Sequence, residues 1–396
     1  MKKNLFYVAA LAAGLAFSAT GCSSEDDPTE NVDPENIDYT SENATSWQNY
    51  MKAVVTLLRT DATNLDKYWR DAYQGGQGYA VSFKTHTSPA PTSAVACVEQ
   101  ILDGCIDIAN EVGETKIGDP YNKYVSGDTQ AALYAVESWY SWHSREDYSN
   151  NIVSIANAFC GTRADVVESS ELQKDLIADN SIYKALANHG QQSLADKTLT
   201  AIKTAYDAIL AIPQPFRNHI TSTQSLAAQD ACAALKTILQ DELKPIFNNN
   251  QATYEPVLGA VVTTYVDDVV LPTYDDLQEE VGVLYDKIDA IAASPSNATF
   301  KDACEQWIKA RKPWEESEAF LFGPVADQGL DPNMDSWPLD QAAIVNILYS
   351  GDYSQMEWTG DYNEDSENIS AAQNVRGFHT LEFLLFKDGE PRKVQE

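Results

Sequence analysis

The stretch "LQEEVGVLYDKIDAI", residues 277–291, decides the fold class. Leu277, Val281, Leu284, Tyr285, Ile288 and Ile291 follow steps of three and four, which gathers apolar side chains on one face of an α-helix. The same spacing runs through Trp47, Tyr50, Met51, Val54, Val55 and Leu58, and through Leu199, Ile202, Tyr206, Ile209 and Leu210. It recurs in Leu235, Ile238, Leu239, Leu243, Ile246 and Phe247. Strand-like alternation is short and rare. The pattern predicts an all-α protein of long antiparallel helices packed as two up-down, four-helix-bundle-like halves. Three asparagines in "FNNNQAT", residues 247–253, interrupt it and suggest a division into halves 46–250 and 251–396. Pro272 falls inside helical sequence and should kink or divide that helix, because proline lacks the amide donor and crowds the preceding turn.

The 396 residues carry 27 Lys and Arg against 59 Asp and Glu, a net charge of −32. Such a surface repels phosphate backbones, which argues against nucleic acid as a partner. Apart from Cys22, the cysteines are Cys97, Cys105, Cys160, Cys232 and Cys304, an odd set without a CxxC pair. They read as small buried residues rather than a disulfide framework.

The N-terminus sets the compartment. Lys2 and Lys3 precede an apolar run from Leu5 to Phe17, then small residues and Cys22, the order of a secretory signal at 1–21. "SATGC", residues 18–22, resembles a bacterial lipobox, with Ala19 where Leu is more usual. That resemblance implies cleavage before Cys22 and lipidation of its thiol. "SSEDDPTE", residues 23–30, resembles the acidic surface-export tag of some Gram-negative lipoproteins. Residues 22–45 read as an acidic flexible tether. The expected location is the outer membrane or cell surface, held by a lipid without spanning the bilayer.

Near the end, "VRGFHTLEFLLFKDG", residues 375–389, places His379 and Glu382 three apart in an apolar run. On a helix these two share a face. Upstream, Phe300, Cys304, Trp307, Ile308 and Arg311 line one helical face, followed by Glu315 and Glu318 beside Trp314, and then by Asp335. The chain repeatedly sets carboxylates, an arginine and tryptophans against strongly apolar helix.

These residues resemble the imelysin-like family. "GFHTLEFLLF" carries its GxHxxE motif as Gly377, His379 and Glu382, and "WIKARKPWEESEAFLFGP" with "DSWPLD" is similar to the preceding segment. "ESWYSWHSREDYSNNIVSIANAFCG", residues 137–161, resembles another block, in which Ser141, Ser144 and Asp147 match the recurring Ser, Thr-type residue and Asp. "EVGETKIGDPY", residues 111–121, extends the likeness. Trp142 and His143 depart from the small polar residues usual there. The blocks also run in the reverse of the usual order, as a circularly permuted imelysin-like fold would give.

The resemblance implies a metal- or ligand-binding role in bacterial iron uptake, with a polar site between two bundles. It suggests His379, Glu382 and Glu318 as ligands for an iron or zinc ion. Gly377, Arg311, Asp335, Ser141 and Asp147 would bind ligand. The partners expected are the ion or a small iron-related ligand, the membrane through the lipid, and other envelope iron-uptake proteins. An alternative is a metallopeptidase of the imelysin type. A hydrolytic zinc needs three protein ligands and a general base, however, and His86, His143, His189 and His219 stand in no recognisable spacing with His379. Arg311 could instead neutralise Glu382 or hold an anion. A second alternative is a structural or interaction lipoprotein whose His/Glu pair is packed polar core.

Overall fold

The computed structural model describes residues 37–357 and 371–395; Cys22 and the signal segment lie outside them. The helices of nine or more residues are labelled in chain order. They are α1 (Ala44–Arg70), α2 (Ala94–Asn110), α3 (Ser144–Cys160), α4 (Gln192–Leu210) and α5 (Thr223–Thr237), then α6 (Gln251–Thr264), α7 (Leu271–Ala293), α8 (Asn297–Glu315), α9 (Gln341–Ser350) and α10 (Gly377–Leu385). A minimal antiparallel hairpin, β1 (Phe386–Lys387) and β2 (Glu390–Pro391), pairs Phe386 with Pro391. The protein is all-α, and the three-four apolar positions of α1 and α7 face the core; only Tyr285 among them is half-buried.

The helices gather in two groups. α1 packs on α7 and α10, and α8 on α7 and α10. α2, α3, α4, α5 and α6 pack among themselves, and α8 touches α3. Thus α1, from before residue 250, lies with helices from beyond it. The continuous helical run from α6 to α7 passes through a π-helical turn, Tyr265–Val270, just before Pro272. The wider turn lies where proline breaks the regular hydrogen-bond ladder. Similar π turns precede Pro245, at Ile238–Leu243, and Pro120, at Glu111–Ile117.

Residues 37–43, assigned to the tether by composition, lie against the folded part. Ile37 and Tyr39 are buried, and Arg392 donates from Nη1 to the Ile37 carbonyl at 2.6 Å. The five cysteines are free and buried. Among the described residues, no helix is long and apolar enough to cross a membrane.

Two helices frame the site. α8 starts at a capping box: Ser296 Oγ accepts from the Thr299 amide at 3.1 Å, while Thr299 Oγ1 accepts from the Ser296 amide at 3.0 Å. α10 is buried along its whole length, so its orphan C-terminal carbonyls need partners inside the protein. Trp47 Nε1 donates to Leu384 O at 3.0 Å, Arg392 Nε to Phe383 O at 2.9 Å, and the Arg392 amide to Leu385 O at 2.9 Å. Each of Phe378, Leu381, Leu384 and Leu385 is fully buried and stabilises the fold by roughly 2 kcal/mol. The start of α10 is equally constrained. Gly377 has φ +83°, and a Cβ there would lie 2.4 Å from the Met334 carbonyl oxygen, so the turn admits glycine alone without strain.

Candidate functional site

At the centre lies Arg311, fully buried on the last turns of α8. Its Nη2 is 2.6 Å from Glu137 Oε1 and 2.7 Å from Glu315 Oε1, and its Nη1 pairs with Asp335 Oδ1. Nε lies 3.4 Å from Asp147 Oδ2. Burial alone would lower the guanidinium's affinity for its proton, but Asp335, Glu315, Asp147 and Glu137 together carry it well above the ordinary value. These carboxylates come from distant parts of the chain, on α3, on α8 and in the segments preceding α3 and α9.

His379 and Glu382 share the inward face of α10, as their spacing predicts. His379 Nδ1 lies 3.1 Å from Glu382 Oε2, and Nε2 lies 3.1 Å from Asp335 Oδ1 and 3.4 Å from Glu137 Oε1. Burial and Arg311 push the imidazole down; Asp335 and the hydrogen bonds to Asp335 and Glu137 outweigh them and hold it well above its ordinary value. Both ring nitrogens face carboxylate oxygens, an arrangement that favours the protonated ring. Trp337 packs edge-on against it, with centroids 5.0 Å apart.

Glu382 is fully engaged. Its Oε1 accepts from the Tyr140 amide at 3.0 Å, the Ser141 amide at 2.8 Å and Ser141 Oγ at 2.7 Å. Ser138 and Trp142 flank this loop with φ of 52° and 62°, which turns consecutive amides inward as an anion-binding nest. The left-handed backbone at two non-glycine residues is strain held in place by packing and by Glu382.

A second layer borders the first. Lys116, on the π turn before Pro120, is buried with Nζ 3.1 Å from Glu137 Oε2. Burial opposes its charge, but Glu137, Glu318, Glu315 and Glu111 keep it firmly protonated. Glu137 would be raised by burial, yet Lys116, His379 and Arg311 hold it well below the usual carboxylate range. Glu315 and Glu318 move the other way. Burial raises both, Arg311 opposes it at Glu315 and Lys116 at Glu318, and repulsion from neighbouring acids adds to the rise.

Of the residues expected from sequence, His379, Glu382, Arg311 and Asp335 meet directly, Asp147 reaches Arg311, and Ser141 reaches Glu382. Gly377 works through the backbone. Glu318 lies one layer out, with a carboxylate oxygen within 4.8 Å of those of Glu315 and Asp335. Sequence reasoning missed Glu137 and Lys116, although both open quoted blocks or lie within them. It also set His143 aside, whose Nε2 is 3.9 Å from Asp147 Oδ1.

Two groups of acids and His have ligand-like spacing: Glu137, Asp335 and His379, and Glu315, Glu318 and Asp335. The first already surrounds the Arg311 guanidinium, whose Nη2 is 3.3 Å from His379 Nε2. A metal ion on His379 therefore requires the guanidinium to give way and the ring to lose a proton.

The sequence matches the imelysin family model over residues 24–241 and 270–396. The fold matches the crystal structure of an imelysin peptidase from Bacteroides ovatus with a TM-score of 0.86 and 55% identity, covering 92% of this chain and 100% of that one. Over 146 residues the chain is 29% identical to iron-regulated protein A of Synechococcus elongatus, spanning 37% of this chain and only 36% of that protein. A family match over most of the length, together with the all-helical fold and the buried GxHxxE centre, makes this chain a member of the imelysin family.

Proposed function

We propose that this imelysin-family protein binds a metal ion or a small iron-related ligand at the centre around His379. We further propose that it does so as a lipid-anchored protein of the bacterial envelope serving iron uptake, beside other envelope proteins of that process. The observation that carries the reading is charge. Glu137, Asp147, Glu315, Glu318 and Glu382 are buried, and Asp335 exposes only 4% of its side chain, against just Arg311, Lys116 and the His379 imidazole. Buried carboxylates in excess of their counter-charges either keep protons or take up a cation. The similarity to iron-regulated protein A supports iron, with zinc the other ion to test, and Cys22 would carry the lipid. Within this reading His379, Glu382 and Glu318 are the metal candidates, and Gly377, Arg311, Asp335, Ser141 and Asp147 form the surrounding ligand site. Equilibrium dialysis of the purified protein against iron, zinc and copper, with elemental analysis, tests it. Absence of any bound ion, and of binding to ferric chelates, would end this reading.

A second reading, metallopeptidase, is favoured by the Bacteroides ovatus relative, which is described as a peptidase. The geometry weighs against it, because both oxygens of Glu382, the carboxylate placed to act as general base, are already accepting hydrogen bonds. Peptide hydrolysis by the wild type that disappears in Glu382→Gln, with the fold intact, would reinstate it.

A further inference from the structure

Resting on the metal-binding reading above, we propose that a hard, oxygen-seeking cation is held by Glu315, Glu318 and Asp335, while His379 and Arg311 position those carboxylates without ligating it. One oxygen from each of the three lies within 4.8 Å of the others, a span that a single ion can close. Glu318 is only 8% exposed, and its carboxylate has no hydrogen-bond or ion-pair partner among the described residues although it points at the other two. Glu137, Asp147, Glu315, Asp335 and Glu382, by contrast, each meet a cationic group or a hydrogen-bond donor. Asp335 Oδ2 accepts from Trp314 Nε1 at 2.7 Å, and Glu315 Oε2 accepts from Asn151 Nδ2 at 2.5 Å, so both are aimed by neutral donors as well as by Arg311. A nearly buried carboxyl group without a hydrogen-bond partner beside two oriented ones offers a ligand set rather than a finished network.

Exposure differs across the centre. Side chains of Arg311, Glu315, His379 and Glu382 are sealed, those of Glu137, Lys116 and Glu318 retain 7–8%, and Glu111 reaches 29%. Glu318 therefore keeps a small exposed fraction, whereas the imidazole has none. Oxygen-only donors suit manganese, magnesium, calcium or ferric iron, not soft ions. Lys116 opposes the rise at Glu318, and its ammonium also pairs with Glu137 Oε2 at 3.1 Å.

The test is titration of the purified full chain with Mn²⁺, followed by electron paramagnetic resonance and calorimetry. We expect one Mn²⁺ per chain, no nitrogen modulation in the spin-echo spectrum, and affinity reduced by at least about tenfold in Glu318→Gln with the melting curve unchanged. Nitrogen modulation from a coordinated imidazole, or Mn²⁺ affinity kept in Glu318→Gln but lost in His379→Gln, would overturn this placement while leaving metal binding itself standing. Binding of Fe²⁺ or Zn²⁺ without Mn²⁺ would do the same. A wild type that binds none of these ions would overturn both readings. The spin-echo measurement needs no variant, so it decides even if Glu318→Gln fails to fold.

Discussion

Arg311 and His379 touch: the guanidinium Nη2 lies 3.3 Å from the imidazole Nε2, although the surrounding carboxylates favour the protonated form of both. They stay together because Glu137 Oε1 and Asp335 Oδ1 each reach both. This shared pair of carboxylates ties α8 to α10 and to the loop before α3. Removing the guanidinium should leave Glu137, Asp147, Glu315 and Asp335 buried with too little counter-charge. Arg311→Met is expected to lose about 3–5 kcal/mol in denaturant unfolding. Arg311→Lys should recover little, since one ammonium cannot bridge four carboxylates. An unchanged unfolding midpoint in Arg311→Met would contradict this account.

Gly377 is required by its backbone and by its neighbour. Gly377→Ala forces a Cβ to within 2.4 Å of the Met334 carbonyl oxygen at φ +83°. The variant should be destabilised by roughly 2 kcal/mol or more. Thermal melting checks it, and co-melting with the wild type would show that the turn relaxes.

The Ser141 hydroxyl supplies one of three hydrogen bonds to Glu382 Oε1, and the Tyr140 and Ser141 amides supply the others. Ser141→Ala should therefore cost only about 1 kcal/mol. Glu382→Gln should cost more, because it removes the charge that both the nest and His379 hold. Equal losses in the two variants, measured by chemical denaturation, would mean that the nest is not built around the carboxylate.

Asp107 on α2 is pushed up to about 6 by burial, then by Asp103 and Glu111, with Lys244 and Lys236 opposing. Its folded value exceeds the ordinary 3.8, so the native state prefers the proton. The associated stability is present below pH about 4 and lost as pH rises through about 6. Asp107→Asn should match the wild type in acid and melt a few degrees higher at pH 8. A constant difference across that range would rule out the electrostatic cause.

Anchoring can be tested directly. Cys22→Ala should move the protein out of the membrane fraction and abolish fatty-acid labelling, since no described helix offers an alternative span. Persistent labelling would rule out Cys22 as the lipid site.

The sequence by itself determined the all-α class, the inward faces of α1 and α7, and the family, through the blocks around Glu137, Arg311 and His379. It also determined that His379 and Glu382 share a face, because a helix repeat fixes directions about its own axis. It did not determine what those faces meet. Only the tertiary structure decided that α1 packs with α7 and α10, that Glu382 is consumed by the Tyr140–Ser141 amides, and that Lys116 and Glu137 enter the centre. Periodicity specifies a direction but not a partner. Pairing between residues as distant in the chain as Tyr140 and Glu382, 242 positions apart, is set by burial and by the need of each buried charge for an opposite one. That Glu318 stands beside Glu315 and Asp335 without a hydrogen bond of its own is likewise decided by the tertiary structure.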